Sequence, residues 1–82
     1  MSWKGIQIVI SGSWYDLFQL DEEECDGVTV GDVLRVLNGL DYSDHEAARD
    51  ACPFTHLTTM DGRKFVARGA KLPLGKYVAV GR

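Results

Sequence analysis

Arg63, Lys64, Arg68, Lys71, Lys76 and Arg82 are the residues whose type and grouping carry the clearest chemical suggestion in this chain of 82 residues. They sit in a stretch, residues 53 to 82, whose single acid is Asp61. The 52 residues before it hold eleven acids against three Lys/Arg, so the formal charge is -8 before Pro53 and +5 from there on, within a total of -3. A basic third on an acidic protein can face an acidic partner while the remainder repels it, so charge placement bears on binding geometry. Lys and Arg on strand edges also discourage sheet-to-sheet aggregation with no partner involved. The segregation goes beyond what edge protection requires, and the six cations are read as a docking set.

Other chemistries find less support. His45 and His56 are the only imidazoles, and the Ser, Thr and Asp residues are scattered as capping and turn residues, so no nucleophile constellation can be placed and no enzyme is expected. Asp21 to Glu24 with Asp26 lacks the alternating ligands and the glycine of an EF-hand loop; it reads as a solvated acidic connection, with no metal and no cofactor. Cys25 and Cys52 are too few for a disulfide framework and show no metal-ligand spacing, so both are expected as free thiols. Cys25 lies in the acidic run DEEECDG, where negative charge disfavours the thiolate, and Cys52 reads as a small apolar packer. Nucleic acid is not an expected partner: the chain is net negative, and the aromatics interleaved with the cations, Phe65 and Tyr77, are core candidates. Trp3 and Trp14 could anchor a partner, although packing at the core margin is the commoner role.

The elements that must position these residues fit one domain, residues 1–82, with room for one core. Its composition, 45% hydrophobic and 26% charged, is that of a globular protein. The opening MSWKGIQIVISGSW reads neither as a secretory segment nor as a membrane span, so a cytoplasmic setting without a membrane partner is expected. Ile6, Ile8 and Ile10 alternate as in a strand with one strongly buried face, and WYDLFQL (residues 14–20) reads as the returning strand of a hairpin. Thr29 with Asp32 three residues on predicts a capped helix carrying Val30, Val33, Leu34 and Leu37 on one face. Gly39 supplies a left-handed stop and Leu40 the contact after it. Ser43 with Glu46 predicts a capping box for a short second helix through about Ala51, with Tyr42 stapled against Ala47 and Pro53 ending it. Phe54 to Met60, a two-residue Asp61-Gly62 turn of type I′, and Arg63 to Ala67 form a second hairpin. A loop from Arg68 to Gly75 leads to a last strand, Lys76 to Val80, with Val78 and Val80 on one face. The class is α+β: a mixed sheet of four or five strands packed on one main helix, plus a short helix. The Ile6 strand is expected to pair in parallel with the Val78 strand.

This element order is similar to the ubiquitin-like β-grasp. Within it, His56-Leu57-Thr58-Thr59-Met60-Asp61-Gly62-Arg63-Lys64 resembles the doublecortin-domain pattern of apolar, polar, Thr and apolar residues followed by Asp-Gly and a basic pair. Leu74-Gly75-Lys76-Tyr77-Val78-Ala79-Val80-Gly81 resembles the closing strand of the same family. In the family's turn after the first strand, usually Arg-Asn-Gly-Asp, only Gly12 matches; Ile10, Ser11 and Ser13 take the other places. The resemblance implies a non-catalytic module that binds microtubules or tubulin through basic side chains, in the cytoplasm and on the cytoskeleton. It also implies a segment of a larger protein that works beside a second doublecortin-like domain or another protein. A ubiquitin-like interaction module with a non-tubulin partner is the alternative. Conjugation is disfavoured, because Gly81 stands between Val80 and Arg82 with no diglycine.

Overall fold

The computed structural model describes the backbone of residues 4–10 and 13–81, and the side chains of these except 13–18. Five strands form one sheet: β1 (Gly5–Ile10), β2 (Ser13–Asp21), β3 (Phe54–Thr59), β4 (Lys64–Phe65) and β5 (Gly75–Gly81), in the order β2-β1-β5-β3-β4. β1 pairs antiparallel with β2 and parallel with β5, with Ile6 opposite Gly75 and Val9 opposite Val78. β5 pairs antiparallel with β3, and β3 with β4. The expected parallel pairing of the Ile6 and Val78 strands is therefore present, and the mixed sheet packs on one main helix, α1 (Val30–Gly39).

Strand alternation sends Ile6, Ile8 and Ile10 of β1, Leu57 of β3, and Tyr77 and Ala79 of β5 to the helix side. There they meet Val30, Val33, Leu34 and Leu37 in one buried cluster. Thr29 caps α1 as expected, its Oγ1 accepting from the Asp32 N–H at 3.2 Å while the Asp32 carboxylate accepts from the Thr29 N–H at 3.1 Å. The buried side of β5 is the Tyr77/Ala79 side; Val78 and Val80 share the opposite, half-buried one.

Several local expectations are corrected. Gly39 is the last helical residue and not a left-handed stop. The chain leaves α1 at Leu40 in an extended conformation (φ -77°, ψ 154°). The Leu37 carbonyl accepts from the Leu40 N–H at 3.4 Å and from the Tyr42 hydroxyl at 2.7 Å, so the helix end is satisfied without a reversal of φ. The Ser43/Glu46 capping box does not form. Asp41 accepts from the Ser43 N–H at 2.9 Å and the Tyr42 carbonyl from the His45 N–H at 2.9 Å; this turn delays α2 (Glu46–Ala51), which has His45 at its N-cap. Tyr42 packs edge-on against Phe54, ring centroids 6.0 Å apart, and Ala47 is exposed. The acidic connection carries a 3₁₀ turn, Glu22–Cys25, that buries Cys25 beneath its exposed carboxylates.

The second hairpin turns through three residues, Met60-Asp61-Gly62, and not two. The Gly62 N–H donates to the Thr59 carbonyl at 3.0 Å and the Thr59 N–H to the Arg63 carbonyl at 2.9 Å, with Gly62 at φ 94°. Thr59 organises the loop: its hydroxyl donates to the Asp61 carboxylate and accepts from the Arg63 N–H at 2.9 Å. The returning strand is only Lys64–Phe65, because the chain turns away toward α1.

That departure binds the loop to the helix start. The Ala70 and Arg68 carbonyls accept from the Val30 and Gly31 N–H groups at 3.0 and 2.8 Å, and the Leu72 N–H donates to the Val28 carbonyl at 3.0 Å. A Cβ on Gly31 would lie 3.0 Å from the Arg68 carbonyl oxygen, a tight contact that the loop would have to yield to. At the far end, a Cβ on Gly81 would land on the Ala51 carbonyl, so β5 must close on glycine to pass beneath α2.

Candidate functional site

The cations of the C-terminal third are distributed by the strand period and by the β4–β5 loop. Leu57 and Phe65, opposite one another on β3 and β4, face the core, so Lys64, opposite Thr58, points away from α1. Tyr77 is buried, so its neighbour Lys76, opposite Gln7, also points away. Both lysines are exposed. Arg63 lies at the hairpin end, its guanidinium 5.1 Å from the centre of the Phe65 ring, a cation–π distance. Phe65 in turn meets Tyr77 edge-on at 5.4 Å, and the Tyr77 hydroxyl donates to the Pro73 carbonyl at 2.6 Å. Burial raises the Tyr77 pKa, against a smaller lowering by Arg63. This chain of contacts fixes where Arg63 sits.

Arg68 and Lys71 belong to the loop that covers the start of α1. Lys71 lines a shallow cleft with Glu22, Asp26, Leu72 and Leu74. Arg68 lines a second depression with Asp32 and Arg35, and Arg35 is 3.0 Å from the Asp32 carboxylate. The fold thus returns acids of the first half to these two cations. Arg82, Trp3, Ser11 and Gly12 lie outside the described residues, as does the side chain of Trp14. The comparison of Gly12 with the doublecortin turn falls there too.

Three carboxylates have pKa values below the ordinary range, each held by local hydrogen bonds. Asp32 is lowered by the Thr29 N–H and hydroxyl, Asp41 by Ser43, and Asp61 by the Thr59 hydroxyl and then the Arg63 N–H. All three are turn or capping groups. Both cysteines are free, and burial is the main reason their thiols are pushed up. For Cys25 the neighbouring acids add to that rise, in the direction expected from the DEEECDG run, and its Sγ lies 3.5 Å from the Leu20 carbonyl. Among the described residues there is no group of three or more His, Cys, Asp or Glu side chains that could hold a metal ion, and no helix long and apolar enough to cross a membrane. His56 is on the outward sheet face, its Nδ1 2.9 Å from the Thr55 hydroxyl.

Sequence reasoning missed two features. The Asn38 side chain clamps β3, accepting from the Phe54 N–H at 2.7 Å and donating to its carbonyl at 3.1 Å, so an amide on α1 does the work of a strand neighbour. The outward face also carries one continuous cross-strand row, Val9–Val78–Thr58–Lys64. Its signal was present as the period of two in β5 and in residues 7–9, but strand order is needed to join the pieces. No family model, curated protein or solved structure matches this chain.

Proposed function

We propose that this chain is a non-catalytic, doublecortin-like module of the ubiquitin-like β-grasp type that docks on an acidic protein surface, with microtubules or tubulin as the partner. The observation that carries the reading is the parallel β1–β5 centre, flanked by a hairpin strand on one side and by β3 and β4 on the other, with α1 across it. A β-grasp closes in that way. The exposed Arg63, Lys64, Arg68, Lys71 and Lys76 supply cations for an acidic lattice. In this reading the module works on the cytoskeleton beside a second doublecortin-like domain or another protein.

The test is co-sedimentation of the folded domain with microtubules at low and physiological salt. Binding that weakens steeply as the Debye length shrinks to about 8 Å supports the reading. A domain that stays in the supernatant at every salt concentration, alone and with added flanking sequence, overturns it. That outcome would favour a ubiquitin-like interaction module with another protein partner. The acids Glu22, Asp26 and Asp32 beside Lys71 and Arg68 already speak for this second reading, because they reduce the field those cations present to an acidic lattice.

A further inference from the structure

Two exposed apolar side chains stand at one end of the sheet, each among charges of complementary pattern. Met60, 59% exposed, is at the tip of the β3–β4 hairpin with Asp61 and Arg63 beside it. Leu74, 46% exposed, lies with Pro73 on the wall of the cleft of about 630 Å³ that Lys71 shares with Glu22 and Asp26. Among the described residues, the side chains of Glu22, Asp26 and Lys71 make no hydrogen bond or ion pair, so three open charges surround an apolar floor. Exposed Asp21, Glu23 and Glu24 extend the acidic side, against one exposed Lys4 just before β1. At the tip, the Asp61 carboxylate accepts from the Thr59 hydroxyl and the Arg63 guanidinium lies over Phe65, yet both residues are exposed. Register sets tip and cleft at the same end. Gly5 lies opposite Asp21, the residue before the 3₁₀ turn, Gly75 opposite Ile6, and Thr59, the last residue of β3, opposite Tyr77. The far end, where Ser13 lies opposite Ile10, takes no part.

We propose that the hairpin tip of one copy of this chain enters the cleft of a second copy and receives that copy's tip in its own cleft, forming a closed twofold dimer. Met60 covers Leu74 and Pro73, Arg63 meets Glu22 and Asp26, and Asp61 faces Lys71. Methionine suits the role, because its unbranched side chain adapts to an irregular apolar surface. The pairing matches charge as well as shape: two acids and one cation in the cleft meet an acid followed by two cations, Arg63 and Lys64, on the hairpin. Tip and cleft are separated by about two to three strand spacings, roughly 10 to 14 Å, so a chain does not fill its own cleft. Placement decides the symmetry. Were tip and cleft at opposite ends of the sheet, the same contact would run from copy to copy as an open chain; at one end, a twofold axis between them makes both contacts at once and closes the assembly. Two such contacts form a small interface, so half-dissociation is expected at about 10 to 100 µM. The pairing stands apart from the microtubule reading and competes with it, since it withdraws Arg63 and Lys71 from any acidic lattice.

The experiment is analytical ultracentrifugation of the 82-residue chain from about 5 to about 500 µM, with no other protein present. The expected result is a reversible monomer–dimer equilibrium with no larger species. Met60→Glu and Leu74→Glu should each weaken it at least about tenfold, as should Arg63→Glu alone and Glu22→Arg with Asp26→Arg alone. An equimolar mixture of the last two proteins should dimerise within about threefold of wild type. In the mixed dimer one contact is native and the other has both signs reversed, whereas neither protein can pair with itself. Circular dichroism reports the folding of each variant. Should a charge reversal unfold the chain, Met60→Ser and Leu74→Ser, at exposed positions, carry the test. A chain that remains monomeric up to about 500 µM, a dimer indifferent to Met60 and Leu74, a mixture that does not recover, or growth beyond the dimer would overturn the proposal.

Discussion

The two faces of the sheet are made from the same strands, residue by residue in alternation, yet they do different work. The helix-facing side contributes Ile6, Ile8, Leu57, Tyr77 and Ala79 to a cluster closed by Val30, Val33, Leu34 and Leu37. The outward side offers Gln7, Thr58, Lys64, Lys76 and Val78, half-buried or exposed, together with Val9, which is buried. Burial makes the first face the source of stability, since apolar area removed from water is the dominant favourable term in folding. Away from Val9, the second face can vary in chemistry at less cost in stability.

The contrast breaks most plainly at neighbouring residues. Leu57→Ala, at a fully buried position, should destabilise the domain by about 2 to 5 kcal/mol, through lost transfer energy and a cavity against α1. Val78→Thr, on the outward face, should cost less than about 1 kcal/mol, because its hydroxyl reaches water and its β-branched shape suits the strand. Urea denaturation of both variants measures the difference as a change in midpoint at constant slope. Equal losses would mean that the outward face is as closely packed as the inner one.

The hairpin tip gives an intermediate effect that depends on backbone alone. Gly62 holds φ 94° with nothing within 4 Å of where a Cβ would stand, so Gly62→Val should cost about 1 to 2 kcal/mol from conformational strain and not from a clash. Thermal melting reads the loss, and Gly62→Asn should recover part of it, since Asn tolerates the left-handed region.

The smallest effect concerns the helix start. The Asp32 pKa is lowered chiefly by its hydrogen bonds with Thr29, and a depressed folded-state value means that its contribution to stability is present above the unfolded pKa and lost as pH falls through the folded one. Stability of the wild type should therefore decline below about pH 4, and Asp32→Asn should flatten that limb while leaving the circular dichroism spectrum unchanged. Chemical denaturation at a series of acidic pH values gives the comparison. An unchanged acid limb would place the linked protons on other carboxylates.

Local chemistry was legible in the sequence wherever neighbouring residues supplied it. The Thr29–Asp32 cap and the face of Val30, Val33, Leu34 and Leu37 depend on a helical period over a few residues, and the Ile6/Ile8/Ile10 strand on a period of two. The positive φ of Gly62 follows from the Asp-Gly pair, although the loop length does not, because Thr59 draws Asp61 and Arg63 into a three-residue turn. The Ser43 capping box fails because Asp41 competes for the Ser43 N–H, and Gly39 stays helical because Tyr42 reaches back to Leu37. The parallel pairing of β1 with β5 was expected from their apolar content. What only the tertiary structure decided is where charges meet. A sequence orders the acids before the cations, but strand alternation turns Lys64 and Lys76 to one face, and the hydrogen bonds from Val30 and Gly31 to the β4–β5 loop carry Arg68 and Lys71 back to the acids. Electrostatic fields depend on distance in space, so a charge split along the chain does not say which acids and cations are neighbours until the strands and the β4–β5 loop are placed.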